Sequence, residues 1–459
     1  MRQLVRSILG SVRRTLFCVI LSFVSAVVAA YRAILLIEDL KLSTADHMRR
    51  ISIFGIRVHE RRYVRRPLRV ALLVDEFFGG WNTAIGGYGA LARKYICRYV
   101  PNDEIAIDVI LGLSRGPFVR RMTVDGTRLY RLPRHRMLRQ AWLDKQSYDL
   151  FLSIELTGPS FQVIGVYESK TPLLYWIQDP RDLALYQPRR RAVTKITESD
   201  WEYVNGVARW LQREIGRGRV RFISQGNSLS CIARGMFAIP KDVQILRLAN
   251  PVEIDWHYDL RLCEKTDKIV FLGRLEAQKR AWVACEVAKA MPQYQFYIIG
   301  ATGRNRREED NARTLAAYRN ADGSSRISNL HFVGHVDGEA KNAHLRSAKV
   351  LLNTSFWEGI PISWLEAMSY GAVIVSAFDR DNIVSRFGTF VGEIAGDATD
   401  TESIHAFATA IEYWLQHDAL YRATAIKAIE YVRANHSIEE FVAAMRGEII
   451  ACSRGLASA

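Results

Sequence analysis

Residues 353–375 read NTSFWEGIPISWLEAMSYGAVIV and hold two glutamates, Glu358 and Glu366, with seven residues between them. Gly359-Ile360-Pro361 breaks the chain between the two. Proline suits the first position of a helix, because the N–H it lacks would have no intrahelical partner there. The pattern predicts a helix from Pro361 to Tyr370, stopped by Gly371 before the next strand. Glu358 then falls in a loop at a strand's carboxyl end, and Glu366 lies inside the helix. The stretch Gly359, Ile360, Pro361, Ile362 and Ser363 carries the free N–H groups of a positive helix end, which suits a phosphate. A carboxylate on each side can grip the hydroxyls of a sugar or ribose, since each accepts two hydrogen bonds. An isolated pair of glutamates is more often a solvated helix charge, so a second feature is needed. It comes from Gly273-Arg274-Leu-Glu-Ala-Gln-Lys279, directly after an apolar run ending at Leu272. Arg274 offers a bidentate fork and Lys279 a point charge, enough to neutralise two phosphates. Alone, that pair is ordinary surface charge; together, the two motifs occupy corresponding edges of one sheet.

The elements that must hold these loops are short apolar runs bounded by polar or turn residues, the pattern of buried parallel strands. One series covers 69–75, 105–111, 149–154 and 172–177; a second covers 268–272, 295–299, 330–333, 349–352 and 372–375. Helical stretches alternate with them, which predicts an α/β chain with two doubly wound parallel sheets and a seam near Asn250-Pro251-Val252. Ligands bind at the carboxyl edge of such sheets. The expected division is a basic arm over 1–66, a first domain over 67–250, a second over 251–440, and a terminal helix over 441–459 that follows the capping-box pattern Ser437-Ile-Glu-Glu440. No repeat of solenoid length is present.

At 459 residues, 49% hydrophobic and 24% charged, with 12 Pro and 30 Gly, the chain has room for two large domains and is neither disordered nor collagen-like. A mean hydropathy of −0.05 excludes a polytopic membrane protein. The six cysteines are scattered, which argues against a disulfide framework or structural zinc and for a reducing compartment, with small buried apolar side chains as their role. Of the net charge of +15, residues 1–69 carry +10, from 14 Lys and Arg against 4 Asp and Glu, and the remaining 390 residues only +5.

That arm holds the one long apolar run, 16–30, extendable to 37 across Arg32. As a helix the uncharged run spans about 22 Å, short of the roughly 30 Å hydrocarbon core. Three readings stand: a cleaved signal peptide, a single spanning anchor, or a helix lying in the interface beside anionic lipid. Ten Lys and Arg follow the run within 32–69 against four before it, which places the bulk of the chain on the cytoplasmic face if the run spans. Membrane attachment there, interfacial or by one anchor, is the expectation. Nucleic acid is not expected as a partner, because the arm lacks zinc spacing and any RNA-recognition signature.

With these residues in view, the chain resembles a retaining glycosyltransferase of the GT-B fold, in the glycosyltransferase group 1 family. Glu358 and Glu366 match that family's E-x7-E motif, and Gly273, Arg274 and Lys279 its G-R-x4-K loop. Ile299-Gly300 matches the strand-then-glycine element, and Phe332-Val-Gly334-His335-Val336 the element framing the base. The first domain matches more loosely, through Gly86-Gly87-Tyr88-Gly89. The resemblance implies two Rossmann-like domains facing a cleft. It also implies a nucleotide-sugar donor bound mainly by the second domain, with Arg274 and Lys279 on the diphosphate, Glu366 on the ribose and Glu358 facing the donor sugar. Neither cofactor nor metal is implied. The acceptor, a glycan or lipid-linked saccharide, belongs to the first domain, with Gly86, Gly87 and Asp179 on that side; no confident match exists for the family's first-domain histidine. Hexosyl or deoxyhexosyl transfer with retention in polysaccharide biosynthesis is the leading expectation. A GT-B sugar epimerase or phosphorylase and a non-catalytic membrane-bound scaffold are the alternatives. Donor sugar, base, acceptor and oligomeric state stay open at this point.

Overall fold

Runs such as Val70–Leu73 and Ala348–Asn353 are buried along their whole length, because a parallel strand covered by helices on both sides has no wet face. The computed structural model describes residues 66–454 apart from 82–85, 115, 155, 157–162, 164–169, 187–197 and 302–314, together with positions 26 and 29. The arm expected over 1–66 therefore lies almost wholly outside the described residues. Among the described residues no helix is long and apolar enough to cross a membrane.

The first sheet comprises β1 (Leu68–Leu73), β2 (Ile105–Ser114), β3 (Arg120–Val124), β4 (Thr127–Pro133), β5 (Leu150–Ser153), β6 (Leu173–Ile177), β7 (Val220–Ser224) and β8 (Ile245–Arg247). Their order is β3-β4-β2-β1-β5-β6-β7-β8, parallel except for the β3–β4 hairpin. The second sheet, β9 (Thr266–Leu272), β10 (Gln295–Ile299), β11 (Leu330–Gly334), β12 (Ala348–Asn353), β13 (Val373–Ser376) and β14 (Gly388–Phe390), runs β11-β10-β9-β12-β13-β14 and is parallel throughout. Each sheet reverses its direction of growth once, between β1 and β5 and between β9 and β12. These two switch points are where loops part and a crevice forms.

Five strands were not expected from the sequence: β3, β4, β7, β8 and β14. β7 and β8 are short and interrupted by Arg221 and Arg247, so neither reads as an apolar run. The β3–β4 hairpin turns on Asp125-Gly126, both at positive φ (48° and 78°), the conformation a two-residue hairpin of this twist requires. The helix expected from Pro361 covers Ile362–Ser369. Pro361 has helical φ but an extended ψ of 135° and so caps it instead. Gly371 follows at φ 74°, the left-handed stop. Of the cysteines, Cys285 and Cys452 are buried as expected, whereas Cys231 is exposed and Cys97 and Cys263 are half-buried.

The last helix, Ile438–Arg454, returns to the first domain. Its Phe441, Met445, Ile449 and Cys452 join the core built on Val70, Leu72 and Trp176, with Phe441 stacked on Trp176 at 5.3 Å. Arg446 donates to the Tyr99 and Val100 carbonyls. At the crossing point the buried His436 Nδ1 lies 2.7 Å from the Asn250 carbonyl, and its Nε2 has no partner among the described residues. Burial lowers this imidazole's pKa to about 4, outweighing the bond to Asn250. The unfolded chain, with a histidine near 6.5, therefore takes up a proton that the folded one refuses. Stability is expected to be full above about pH 6.5 and to fall by about 2 kcal/mol between pH 7.5 and 5 through this group. His436→Gln should flatten that part of a urea-midpoint profile; a variant profile as steep as wild type would exclude His436 as the cause.

Candidate functional site

The carboxyl edges of the two sheets face each other across a cleft of about 680 Å³. Each sequence-predicted site residue lines it: Gly86, Gly87 and Asp179 from the first domain, and Gly273, Arg274, Lys279, Gly300, His335, Val336, Glu358, Gly359, Ile360, Pro361, Ile362, Ser363 and Glu366 from the second.

The second domain builds its wall at the β9/β12 switch. The loop after β9 carries Gly273 to Lys279, and the loop after β12 carries Thr354 to Pro361. Gly300, at φ 150°, lies so close to the Gly273 carbonyl that any Cβ would overlap it, so the two loop starts pack backbone to backbone. The Lys279 stem passes Gly273 with its Cδ 3.7 Å from where a Cβ would stand. Its Nζ pairs with Glu358 Oε1, an oxygen that also accepts from Ser355 Oγ at 2.6 Å. Arg380 fixes the same loop from behind, donating to the Glu358 carbonyl at 3.1 Å with its guanidinium 4.1 Å from the Phe378 ring centroid. Glu358 is thus a buried carboxylate held at one oxygen by a cation and a hydroxyl.

Two pairings were not legible in the motifs. Arg274 donates to Glu76 Oε1 at 2.8 Å, and Glu76 comes from the end of β1 in the other domain. Burial raises the Glu76 pKa, by more than Arg274 lowers it. Gly86 roofs this pair, its would-be Cβ overlapping the Glu76 carboxylate and standing 3.0 Å from Arg274 Cζ. Glu366, in the Ile362–Ser369 helix, accepts from Lys341 Nζ at 2.5 Å. Burial alone would lower the Lys341 pKa, but Glu366 and Asp337 hold it above the usual lysine range. Asp337 in turn pairs with Lys94 of the first domain. Burial pushes that carboxyl up, yet Lys94, the Gly338 N–H and Lys341 together bring it down to about 2.

The domains touch elsewhere along the cleft. Trp357 Nε1 donates to Asp179 Oδ1 at 2.8 Å, and Phe78 meets His335 at 6.0 Å between ring centroids. Asp381 of the second domain accepts from the N–H groups of Asn227 and Ser228, both at 2.8 Å, capping the Asn227–Phe237 helix of the first. Beneath Gly359 lies a closed amide trio. Gln178 Nε2 donates to Asn250 Oδ1, Asn250 Nδ2 to Gln225 Oε1, and Gln225 Nε2 to the Gln178 carbonyl.

Residues 253–431 match the family model described as glycosyl transferases group 1. The match spans the second domain. No curated protein matches the chain. Among solved structures, sucrose-phosphate synthase from Thermosynechococcus elongatus aligns with a TM-score of 0.60 at 16% identity, covering 85% of this chain and 100% of that one. The Anabaena protein HepE, solved in complex with UDP-glucose, gives 0.56 at 12% identity, with 85% and 100% covered. WaaG, a glycosyltransferase involved in lipopolysaccharide biosynthesis, gives 0.56 at 14% identity, with 83% and 99% covered. At such identities the likeness is one of fold, and it extends to both domains of this chain: two Rossmann-like parallel-sheet domains facing a cleft. Among the described residues no group of three or more His, Cys, Asp or Glu side chains could hold a metal ion.

Proposed function

We propose that this chain is a retaining glycosyltransferase that moves a hexosyl or deoxyhexosyl unit from a nucleotide-sugar donor to a glycan or lipid-linked saccharide at the cytoplasmic face of a membrane. The observation that carries the reading is the convergence, at the β9/β12 switch of a group 1 domain, of Arg274, Lys279, the helix start at Gly359 to Ser363, and Glu366. Arg274 and Lys279 bind the diphosphate and neutralise the charge that grows on it as the glycosidic bond breaks, while the helix N–H groups add a fixed positive end. With those three positive elements in place the reaction needs no metal ion. Glu366 accepts from the ribose hydroxyls, His335 and Val336 frame the base, and Glu358 faces the donor sugar. Gly86, Gly87 and Asp179 form the acceptor side. A diphosphate reaching Arg274 replaces Glu76 as its partner, and the burial that raises the Glu76 pKa eases the loss of that pair. Donor hydrolysis by purified protein across a panel of nucleotide sugars tests the donor reading, and an anomeric assignment of the transferred sugar by NMR tests retention. An inverted product refutes retention, and no turnover of any donor refutes transfer.

The two motif glutamates are expected to fail differently. Glu366→Gln weakens bonds to hydroxyls that persist through the reaction, so the Michaelis constant for donor should rise. Glu358→Gln, beside the reacting sugar, should mainly lower turnover. The reverse pattern in steady-state kinetics would exchange their roles.

Attachment is proposed to run through the 1–66 arm. Its basic residues add about 1 kcal/mol each near an anionic surface, over a Debye length of about 8 Å at physiological salt. High salt or alkaline carbonate should strip full-length protein from membranes if the apolar run lies in the interface. Resistance to both would identify a spanning helix.

A further inference from the structure

With the ribose on Glu366 as proposed above, we infer that Lys94 of the first domain is a positioning residue for that ribose, acting on Glu366 through Asp337 and Lys341. These four side chains line the cleft, and their charges alternate in sign along a row. Lys94 Nζ pairs with Asp337 Oδ2, Asp337 Oδ1 lies 3.5 Å from Lys341 Nζ, and Lys341 Nζ lies 2.5 Å from Glu366 Oε1. The first member of the row comes from an uncommon turn. Leu91–Ile96 is wound as a π-helix, closed by the Cys97 N–H on the Ala92 carbonyl five residues back, and π-helical turns are frequent at functional sites. This one carries two neighbouring side chains toward the second domain. Beside Lys94, the phenol pKa of the buried Tyr95 is raised by burial and then by the charges of Glu366 and Glu253.

An ion pair that merely joins two surfaces gains a protein little. This row differs because it ends on the carboxylate that takes the ribose. Lys341 occupies Oε1 of Glu366, and Oε2 accepts from no described residue. A glutamate anchored at one oxygen keeps the other in one place for a hydroxyl, so less side-chain freedom is lost when the nucleotide arrives. Lys341 can anchor it only while the lysine itself stays put. Two carboxylates compete for its ammonium, and Glu366 and Asp337 together keep its pKa above the usual range against burial. Lys94 decides that competition. With Lys94 in place Asp337 has a nearer cation, and Lys341 stays on Glu366. Without it, Lys341 is the one cation left to Asp337 among the described residues, and the aspartate draws it off Glu366 across the 3.5 Å between them. Since Lys94 belongs to the first domain, the ribose grip is complete only when the two domains meet.

Calorimetric titration of full-length protein with UDP, ADP and GDP finds the nucleotide it holds most tightly, and the 2′,3′-dideoxy form of that nucleotide is the comparison. Base and diphosphate contacts are common to the two forms, so the ratio of their affinities reports the ribose grip alone. Lys94→Met should lower that ratio about ten-fold, with the dideoxy form weakened by less than about two-fold. Retained binding of the dideoxy form also shows that the variant is folded. Adding Asp337→Asn to Lys94→Met removes the competing carboxylate and should bring the ratio back to within about two-fold of wild type. A wild-type ratio in Lys94→Met overturns the inference. So does an equal loss for both forms, which would place Lys94 on the base, the diphosphate or domain closure alone, and so does a ratio that Asp337→Asn leaves low. Failure of the donor reading looks different, because it precedes any variant. Wild-type protein that holds both forms alike takes the ribose off Glu366, protein that binds none of the three nucleotides removes the donor, and either result removes the role of Lys94 as well.

Discussion

Alanine in place of Arg274 is expected to lower transfer efficiency roughly 10- to 150-fold, and alanine in place of Lys279 at least as much, with the larger loss of stability in the lysine variant. On the proposed reading each removes a charge-assisted contact to the diphosphate worth about 1.5–3 kcal/mol, and kcat/KM registers it if it is made in the transition state. From the sequence alone both cations read as exposed loop charges whose removal would affect folding little. The structure corrects this for Lys279. Its side chain is 17% exposed and that of its partner Glu358 is 8%, so Lys279→Ala strands a buried carboxylate, a change that costs about 3–5 kcal/mol. Arg274 differs in degree, since its side chain is 26% exposed and that of its partner Glu76 16%, so the pair that is lost is less buried. Kinetics with each donor and a thermal melt of both variants decide the matter. Wild-type kinetics in both remove the diphosphate reading, and a wild-type melting temperature for Lys279→Ala removes the buried pair.

What could be read beforehand follows from where the information lies along the chain. Strands that are continuous apolar runs were legible, β1, β2, β5, β6 and β9 to β13, and β10 to the residue. Strands that carry arginines or are very short were not, inside the sheet or at its edge: β3 presents Arg120 and Arg121, β4 and β7 hold Arg128, Arg131 and Arg221, and β14 is three residues long. The Asp125-Gly126 hairpin signal stands in the sequence, but the strands flanking it carry Arg120, Arg121, Arg128 and Arg131 and so do not read as apolar runs. The site shows the same division. Residues fixed by one loop at a strand end, such as Gly273 to Lys279 and Glu358 to Ser363, keep a recognisable spacing. Those that matter through apposition of the domains do not. Glu76 meets Arg274 across 198 positions of sequence, and Lys94 meets Asp337 across 243. Nothing local marks Gln178, Gln225 and Asn250 as one trio. Lys341 lies nearer, 25 positions from Glu366, but on a different helix, where a lone lysine reads as a solvated charge.

Alanine at Gly359 is expected to cut turnover about 5- to 150-fold while leaving each domain folded, because the clash it introduces lies between the domains. An added Cβ would overlap the Gln178 carbonyl oxygen and stand 2.7 Å from Gln225 Nε2. Neither neighbour can yield cheaply. The carbonyl is backbone, and the amide is held in the closed trio with Gln178 and Asn250, whose Nδ2 also reaches the Ile360 carbonyl at 3.4 Å. Relief comes from parting the domains, which stretches the contacts of Lys94 with Asp337, Arg274 with Glu76, and Asp381 with the Asn227–Phe237 helix. Overpacking of this kind costs about 1–3 kcal/mol. If transfer takes place in the closed arrangement, the same cost enters its activation barrier and gives the stated range. Gly206→Ala is the control: its Cβ would meet nothing within 4 Å, and in the interior of the Glu198–Gly216 helix alanine is the better residue by about 1 kcal/mol. Solution scattering should show Gly359→Ala with a larger radius of gyration than the control, and a melt should show both domains folded. A Gly359→Ala enzyme as active and as compact as Gly206→Ala would mean that the closed cleft is not the arrangement in which sugar is transferred.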